Sequence, residues 1–252
     1  MISISILGSG NVAQHLISAF EKADGIELVQ VYSRNPNSIT SISKSIAIIQ
    51  EYKQLQPVDL FIIAVSDDAI TSVSELILFT NQLVVHTSGS VAMESLSNSN
   101  RKGVFYPLQT LSKTKEINFK EVPLCIEAES NSDLKLLHEV ASAISNQVFE
   151  IDSNQRKSLH VAAVFVNNFA NHLFQIGNDI CDEKGISFEI LKPLILETAN
   201  KLNTLSPKEA QTGPAKRGDT STINKHLDFL TDSNQKELYK LLTKSIIDNG
   251  KL

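Results

Sequence analysis

The sequence predicts an α/β domain built on a mainly parallel sheet, followed by an all-α domain. Three observations carry this. A strand runs into a glycine turn and a helix within the first thirteen residues, strand patterns recur as far as Ile151, and every signal after Asp152 is helical. The expected division is 1–152 for the sheet-bearing domain and 153–252 for the helical one.

The opening strand alternates Ile2, Ile4 and Ile6 with Ser3 and Ser5. Gly8-Ser9-Gly10-Asn11-Val12-Ala13 then matches the G-x-G-x-x-G/A dinucleotide pattern. Gly8 permits the tight turn, Gly10 leaves room for a pyrophosphate on the helix N-terminus, and Ala13 allows close packing of helix on strand. The helix continues through Leu16, Ala19 and Phe20, and a second strand over 26–32 completes a βαβ unit. Where an NAD-type domain places an Asp or Glu, this chain has Ser33-Arg34-Asn35, a set suited to a 2′-phosphate. The cofactor expected is therefore NADP (NADPH), against the plainer reading of a polar turn with a solvated Arg.

Residues 38–54 read as a helix, a short strand at 45–49 and a turn. The apolar run 57–65 reads as a strand buried on both faces. It ends at Ala64, Val65 and Ser66, which should line the cofactor cleft, and a helix capped by Ser66 or Asp67 should follow through Val73, Leu76, Ile77 and Leu78. The next strand, 82–87, ends in Thr87, Ser88 and Gly89, placing hydroxyls beside the expected nicotinamide. His86 on that strand is either a buried histidine bonded to a backbone carbonyl or a proton donor facing the substrate. Further strands are expected at 102–106, 123–128 and 147–151, with an amphipathic helix over 134–144.

Asp152-x-x-Gln155 resembles a capping box ahead of a long helix ending near Lys184-Gly185. A helix over 187–202 should kink or break at Pro193, 206–218 holds a loop or short helix, Asp219 caps a helix to Leu230, and 237–248 forms the last. On the long helix a uniform 100° advance puts His160, Asn167 and Asn171 within about 20° of one another, with Asn168 about 80° away. That polar stripe faces either solvent or a cleft, where His160, Asn167 and Asn168 could orient a substrate or transfer a proton. Gly213-Pro-Ala-Lys-Arg-Gly-Asp219 is either a charged loop with an N-cap or, through Arg217, a carboxylate anchor or subunit contact.

Composition narrows the partners. With 42% apolar and 20% charged residues and a net charge of −5, nucleic acid is not an expected partner. Cys125 and Cys181 give neither a disulfide framework nor a metal site, no run is long enough to span a membrane, and no charged leader precedes the first strand. A soluble cytoplasmic protein with a small-molecule substrate and no metal is expected.

Together, Gly8–Ala13, His86-Thr-Ser-Gly89, Phe105-Tyr-Pro-Leu-Gln-Thr110, the His160–Asn168 stretch and Gly213–Asp219 resemble a bacterial family of NADP oxidoreductases. Its members join a Rossmann-like N-terminal domain to a C-terminal helical domain of unknown function, within the larger group of pyrroline-5-carboxylate reductase, 6-phosphogluconate dehydrogenase and 3-hydroxyisobutyrate dehydrogenase. The resemblance spans essentially the whole chain and implies a homodimer formed through the helical domain, with the active site in the interdomain cleft. One departure matters. β-Hydroxyacid dehydrogenases carry a Lys with an Asn one turn later, whereas Val164 follows His160 by a turn and Val161 follows Lys157. A reductase working by positioning and hydrogen bonds fits better, moving hydride between NADP(H) and a small carbonyl, imine or hydroxy compound. A non-catalytic NADP(H) sensor or partner subunit is the alternative.

Overall fold

The computed structural model describes residues 1–39, 42–43, 46–113 and 115–250. Its contacts divide the chain into two compact units, 1–167 and 168–252.

In the first unit eight strands form one sheet: β1 (Ile2–Leu7), β2 (Ile26–Tyr32), β3 (Ala47–Ile49), β4 (Leu60–Ile63), β5 (Leu83–His86), β6 (Arg101–Pro107), β7 (Leu124–Ala128) and β8 (Val148–Glu150). Their spatial order is β3-β2-β1-β4-β5-β6-β7-β8. All pairs are parallel except β6 with β7. Side-chain alternation divides the central strands between two layers. Ile4, Ile6, Leu60, Ile62, Leu83 and Val85 face α1 (Asn11–Phe20) and, later in the chain, α3 (Asn131–Ile144). Leu7, Phe61, Ile63 and Val84 face the opposite layer, which includes the short α2 (Ile70–Glu75). Such double coverage is why the 57–65 run is almost unbroken in apolar residues.

The helix expected after Ser66 is shorter than its apolar spacing suggests. A 3₁₀ turn at Asp67–Ala69 leads into α2, which ends before Leu76, and Leu78 is exposed. Between β2 and β3, Pro36–Ser38 forms a single 3₁₀ turn capped by Asn35. The helix expected to begin there, and the start of the strand expected at 45–49, fall partly on Thr40, Ser41, Lys44 and Ser45, outside the described residues.

Asp152 accepts hydrogen bonds from the backbone N–H groups of Asn154 and Gln155, and the Gln155 side chain accepts one from the Asp152 backbone N–H, forming a capping box on α4 (Ser153–Ala163). The helix then becomes π-helical over Val164–Phe169 before continuing as α5 (Ala170–Glu183). Six π residues break the uniform advance that aligned His160 with Asn167 and Asn171, so the expected stripe is out of phase. The division between units also falls in this segment, because the first turns after Asp152 pack on the sheet.

The second unit continues from α5 through α6 (Lys192–Asn200), α7 (Pro207–Ala210), α8 (Pro214–Arg217), α9 (Thr220–Phe229) and α10 (Ser233–Asn249). Pro193 sits in the first turn of α6 behind a 3₁₀ segment, so the expected break occurs. Asp219 caps α9 by accepting from the Thr222 backbone. Among the described residues no helix is long and apolar enough to cross a membrane.

Candidate functional site

Strand register assembles the site. Leu7 pairs with Tyr32 and Ile63, and Ile63 pairs with His86. The residues that follow, Ser33, Gly8, Ala64 and Thr87, therefore share one rim at the carboxyl ends of the strands. The chain order reverses there, between β1 and β4, which is where open α/β sheets bind ligands.

At this rim lies a cavity of about 740 Å³. Its lining takes in residues 8–12, then Ser33 and Arg34, then Ala64, Val65 and Ser66, and Thr87. The two glycines of the turn have different tasks. Gly8 has φ +136°, and a Cβ on it would meet the Ala64 carbonyl oxygen at 2.1 Å, so packing and backbone both require glycine. A Cβ on Gly10 would meet nothing within 4 Å, so the space beside it belongs to the cavity. Gly10 caps α1 without a side-chain hydrogen bond and no acidic residue occupies the first turn, leaving backbone N–H donors toward that space.

Ala13 and Ser88 do not line the cavity. Ala13 is fully buried, packing α1 on the sheet. The Ser88 hydroxyl accepts from the backbone N–H groups of Ser90 and Val91 and so shapes its own turn. Ser33 is almost fully buried; its hydroxyl lies 2.8 Å from the Asn35 carbonyl, to which it donates, and 3.0 Å from the Ser9 hydroxyl, tying the first turn to the end of β2. Arg34 is left as the charged side chain among the described lining residues, with no carboxylate beside it. Tyr32 and Tyr52 stack next to it with ring centroids 4.2 Å apart. Burial, together with Tyr32, raises the Tyr52 phenol well above its ordinary value.

His86 has no exposed surface. Its Nδ1 accepts from the Ser88 backbone N–H at 3.2 Å, and no partner lies within hydrogen-bond geometry of Nε2 among the described residues. Burial and the nearby Arg156 charge push its pKa down to about 4, so it is neutral. Direct contact with a substrate is therefore corrected: its ring is sealed beneath the turn after β5 and supports it, accepting from the Ser88 N–H and lying against the Ala92 backbone.

His160 projects from α4 toward that turn, half-buried, with Nδ1 3.1 Å from the Tyr106 hydroxyl. Asn167 and Asn168 are exposed on the π-helical segment. Arg217 is exposed at the end of α8, between Gly213 at φ +102° and Gly218 at φ +70°.

Residues 3–89 match the family described as NADP oxidoreductase, coenzyme F420-dependent, and residues 122–246 match a domain of unknown function, DUF2520. A solved structure from Bacteroides fragilis, a candidate NADP oxidoreductase, is 39% identical over 98% of each chain, with a TM-score of 0.89. The chain belongs to this NADP oxidoreductase family. A Thermotoga maritima protein shares the fold at 18% identity over 98% of each chain, with a TM-score of 0.76. A Plasmodium falciparum pyrroline carboxylate reductase solved with NADP bound shares it at 14% identity, over 99% of this chain and 97% of that one, with a TM-score of 0.64. No curated protein matches the sequence.

Sequence reasoning missed three residues in this family member. Tyr52 reaches the rim from the 3₁₀ turn that follows β3, whose Ile49 pairs with Tyr32 of β2. Tyr106 faces α4 from β6; it stood inside the Phe105–Thr110 motif without a role of its own. Arg156 is fully buried, ion-paired with Glu127 and donating to the Val91 carbonyl at 2.6 Å and Ser153 Oγ at 3.0 Å. One signal was available for it: Arg156 and His160 are four residues apart on α4 and so share a helix face.

Proposed function

We propose that the chain is an NADPH-dependent reductase of a small carbonyl or imine compound. One observation carries this reading: a dinucleotide-sized cavity with bare backbone donors at Gly10 and a guanidinium, without an opposing carboxylate, at the end of β2. The uncapped start of α1 holds the pyrophosphate, Arg34 the 2′-phosphate, and the Tyr32–Tyr52 stack offers an aromatic wall beside it. Bound NADPH supplies the hydride. His160, beyond the Thr87 end of the cavity, donates a hydrogen bond to the substrate.

The functional molecule in this reading is a homodimer. Cys181 is the one buried side chain among the described residues of the helical unit, while Ile190 (69% exposed), Leu194 (63%), Leu196 (63%) and Leu241 (65%) stand open. Apolar surface of that extent asks for a second copy of the chain. Sedimentation equilibrium is expected to give twice the 27.7 kDa chain mass, and a monomer at micromolar concentration overturns the assignment. Two free cysteines, both buried, fit the reducing cytoplasm.

Calorimetric titration with NADPH and with NADH tests the cofactor. Tight NADPH binding and weak NADH binding are expected; binding of neither removes the reductase reading.

A further inference from the structure

Tyr106 on β6 and His160 on α4 meet edge to face, with ring centroids 6.1 Å apart and the hydroxyl 3.1 Å from Nδ1. Their meeting depends on Gly89. A Cβ there would lie 2.5 Å from His160 Nδ1, and 2.8 Å from both His160 Cγ and Tyr106 Cζ. The turn from which His160 projects is fixed as well, because Arg156, one turn earlier, is held by Glu127 of β7 and by the Val91 carbonyl.

The hydrogen bond has a direction. Among the described residues Nδ1 is the one acceptor within reach of the largely buried Tyr106 hydroxyl, so donation to Nδ1 is the arrangement that gives the phenol proton a partner; burial, which pushes the phenol up to about 12, keeps that proton in place. On a neutral imidazole the ring proton then resides on Nε2.

We propose that Tyr106 is a positioning residue that holds His160 as the neutral Nε2–H tautomer, so that the substrate is a compound offering a lone pair to that N–H. The substrate clause rests on the reductase reading above; the tautomer does not. A carbonyl oxygen or an unprotonated imine nitrogen accepts from Nε2–H and is polarised by it, making its carbon a better acceptor for the hydride of NADPH; NADP⁺ is left, and the heteroatom, held by Nε2–H as it gains charge, takes its proton from solvent water. An iminium nitrogen, already protonated, has no lone pair to offer. Because Nδ1 is occupied as an acceptor, His160 acts as a fixed dipole aimed at the charge that develops on the heteroatom.

The test is long-range ¹H–¹⁵N correlation on full-length protein with ¹⁵N-labelled histidine at pH 8, without and with NADPH. His160→Gln identifies the signal. Nδ1 is expected in the unprotonated range and Nε2 in the protonated range. Tyr106→Phe is expected to move the tautomer balance toward Nδ1–H by about tenfold, the worth of one hydrogen bond. Gly89→Ala keeps both groups but parts them, and should give the same shift. A protonated Nδ1 in the unsubstituted protein, or nitrogen shifts unmoved by Tyr106→Phe, overturns the proposal; the unsubstituted spectrum decides even if a variant fails to fold. Absence of NADPH binding in the same sample overturns the reductase reading and its substrate clause, and leaves the tautomer standing.

Discussion

Acid should weaken this fold through one histidine. His86 is neutral inside the protein, with its pKa depressed from 6.5 to about 4, and it gains a proton when the chain unfolds at mildly acidic pH. The unfolded state therefore binds more protons between these two values, and stability falls as pH drops through that window. For these two pKa values the linkage relation gives a loss of about 2 kcal/mol between pH 7 and pH 5. His86→Leu removes the titration. It also strands the Ser88 N–H, at a cost of about 1–3 kcal/mol, but that loss is the same at both pH values. Urea denaturation of both proteins at pH 7 and pH 5 should show the unsubstituted chain losing about 2 kcal/mol more than the variant over the interval. Parallel losses would refute the argument, placing the acid sensitivity elsewhere.

Four further outcomes follow from the site. Gly8→Ala forces a Cβ against the Ala64 carbonyl at a positive φ and should cost about 3 kcal/mol or more, seen as a large fall in the urea midpoint. Gly10→Ala should fold normally yet bind NADPH about tenfold more weakly in calorimetry, since its methyl enters the space left for pyrophosphate; equal behaviour of the two variants contradicts the division of roles. Arg34→Ala should weaken NADPH about ten- to a hundredfold more than NADH, and equal losses would sink the 2′-phosphate assignment. Arg156→Ala leaves the Glu127 carboxylate largely buried and unpaired, so the urea midpoint should report a loss of about 3–5 kcal/mol, with a loss below about 1 kcal/mol refuting the clamp.

The parallel core and the glycine turn were legible in the sequence because both depend on local rules. Alternation in 2–6, the unbroken run at 57–65 and the two glycines each report a backbone environment directly. The reversal of β7 was not legible, since its apolar residues read the same in either direction and only its pairing with β6 sets the sense. Nor was the π segment at Val164–Phe169, whose apolar residues fit an α-helical pattern equally well. The site divides along the same line. Gly8 and Gly10 show their parts in local chemistry, as does the part proposed for Arg34, whereas Arg156 looks like any helix cation until its Glu127 partner, 29 residues away, is placed beside it.

Arg156 also bears on where this protein can be cut. A fragment ending at Asp152 would contain all eight strands and the whole glycine turn. It would lack the cation that neutralises Glu127 and latches Val91, along with Ser153, whose backbone and hydroxyl both donate to the same carboxylate. The turn after β5 would have lost its fastening in a piece whose sheet is complete. During synthesis, likewise, Arg156 can reach Glu127 and Val91 only once α4 has emerged, so the sheet can form before this latch does.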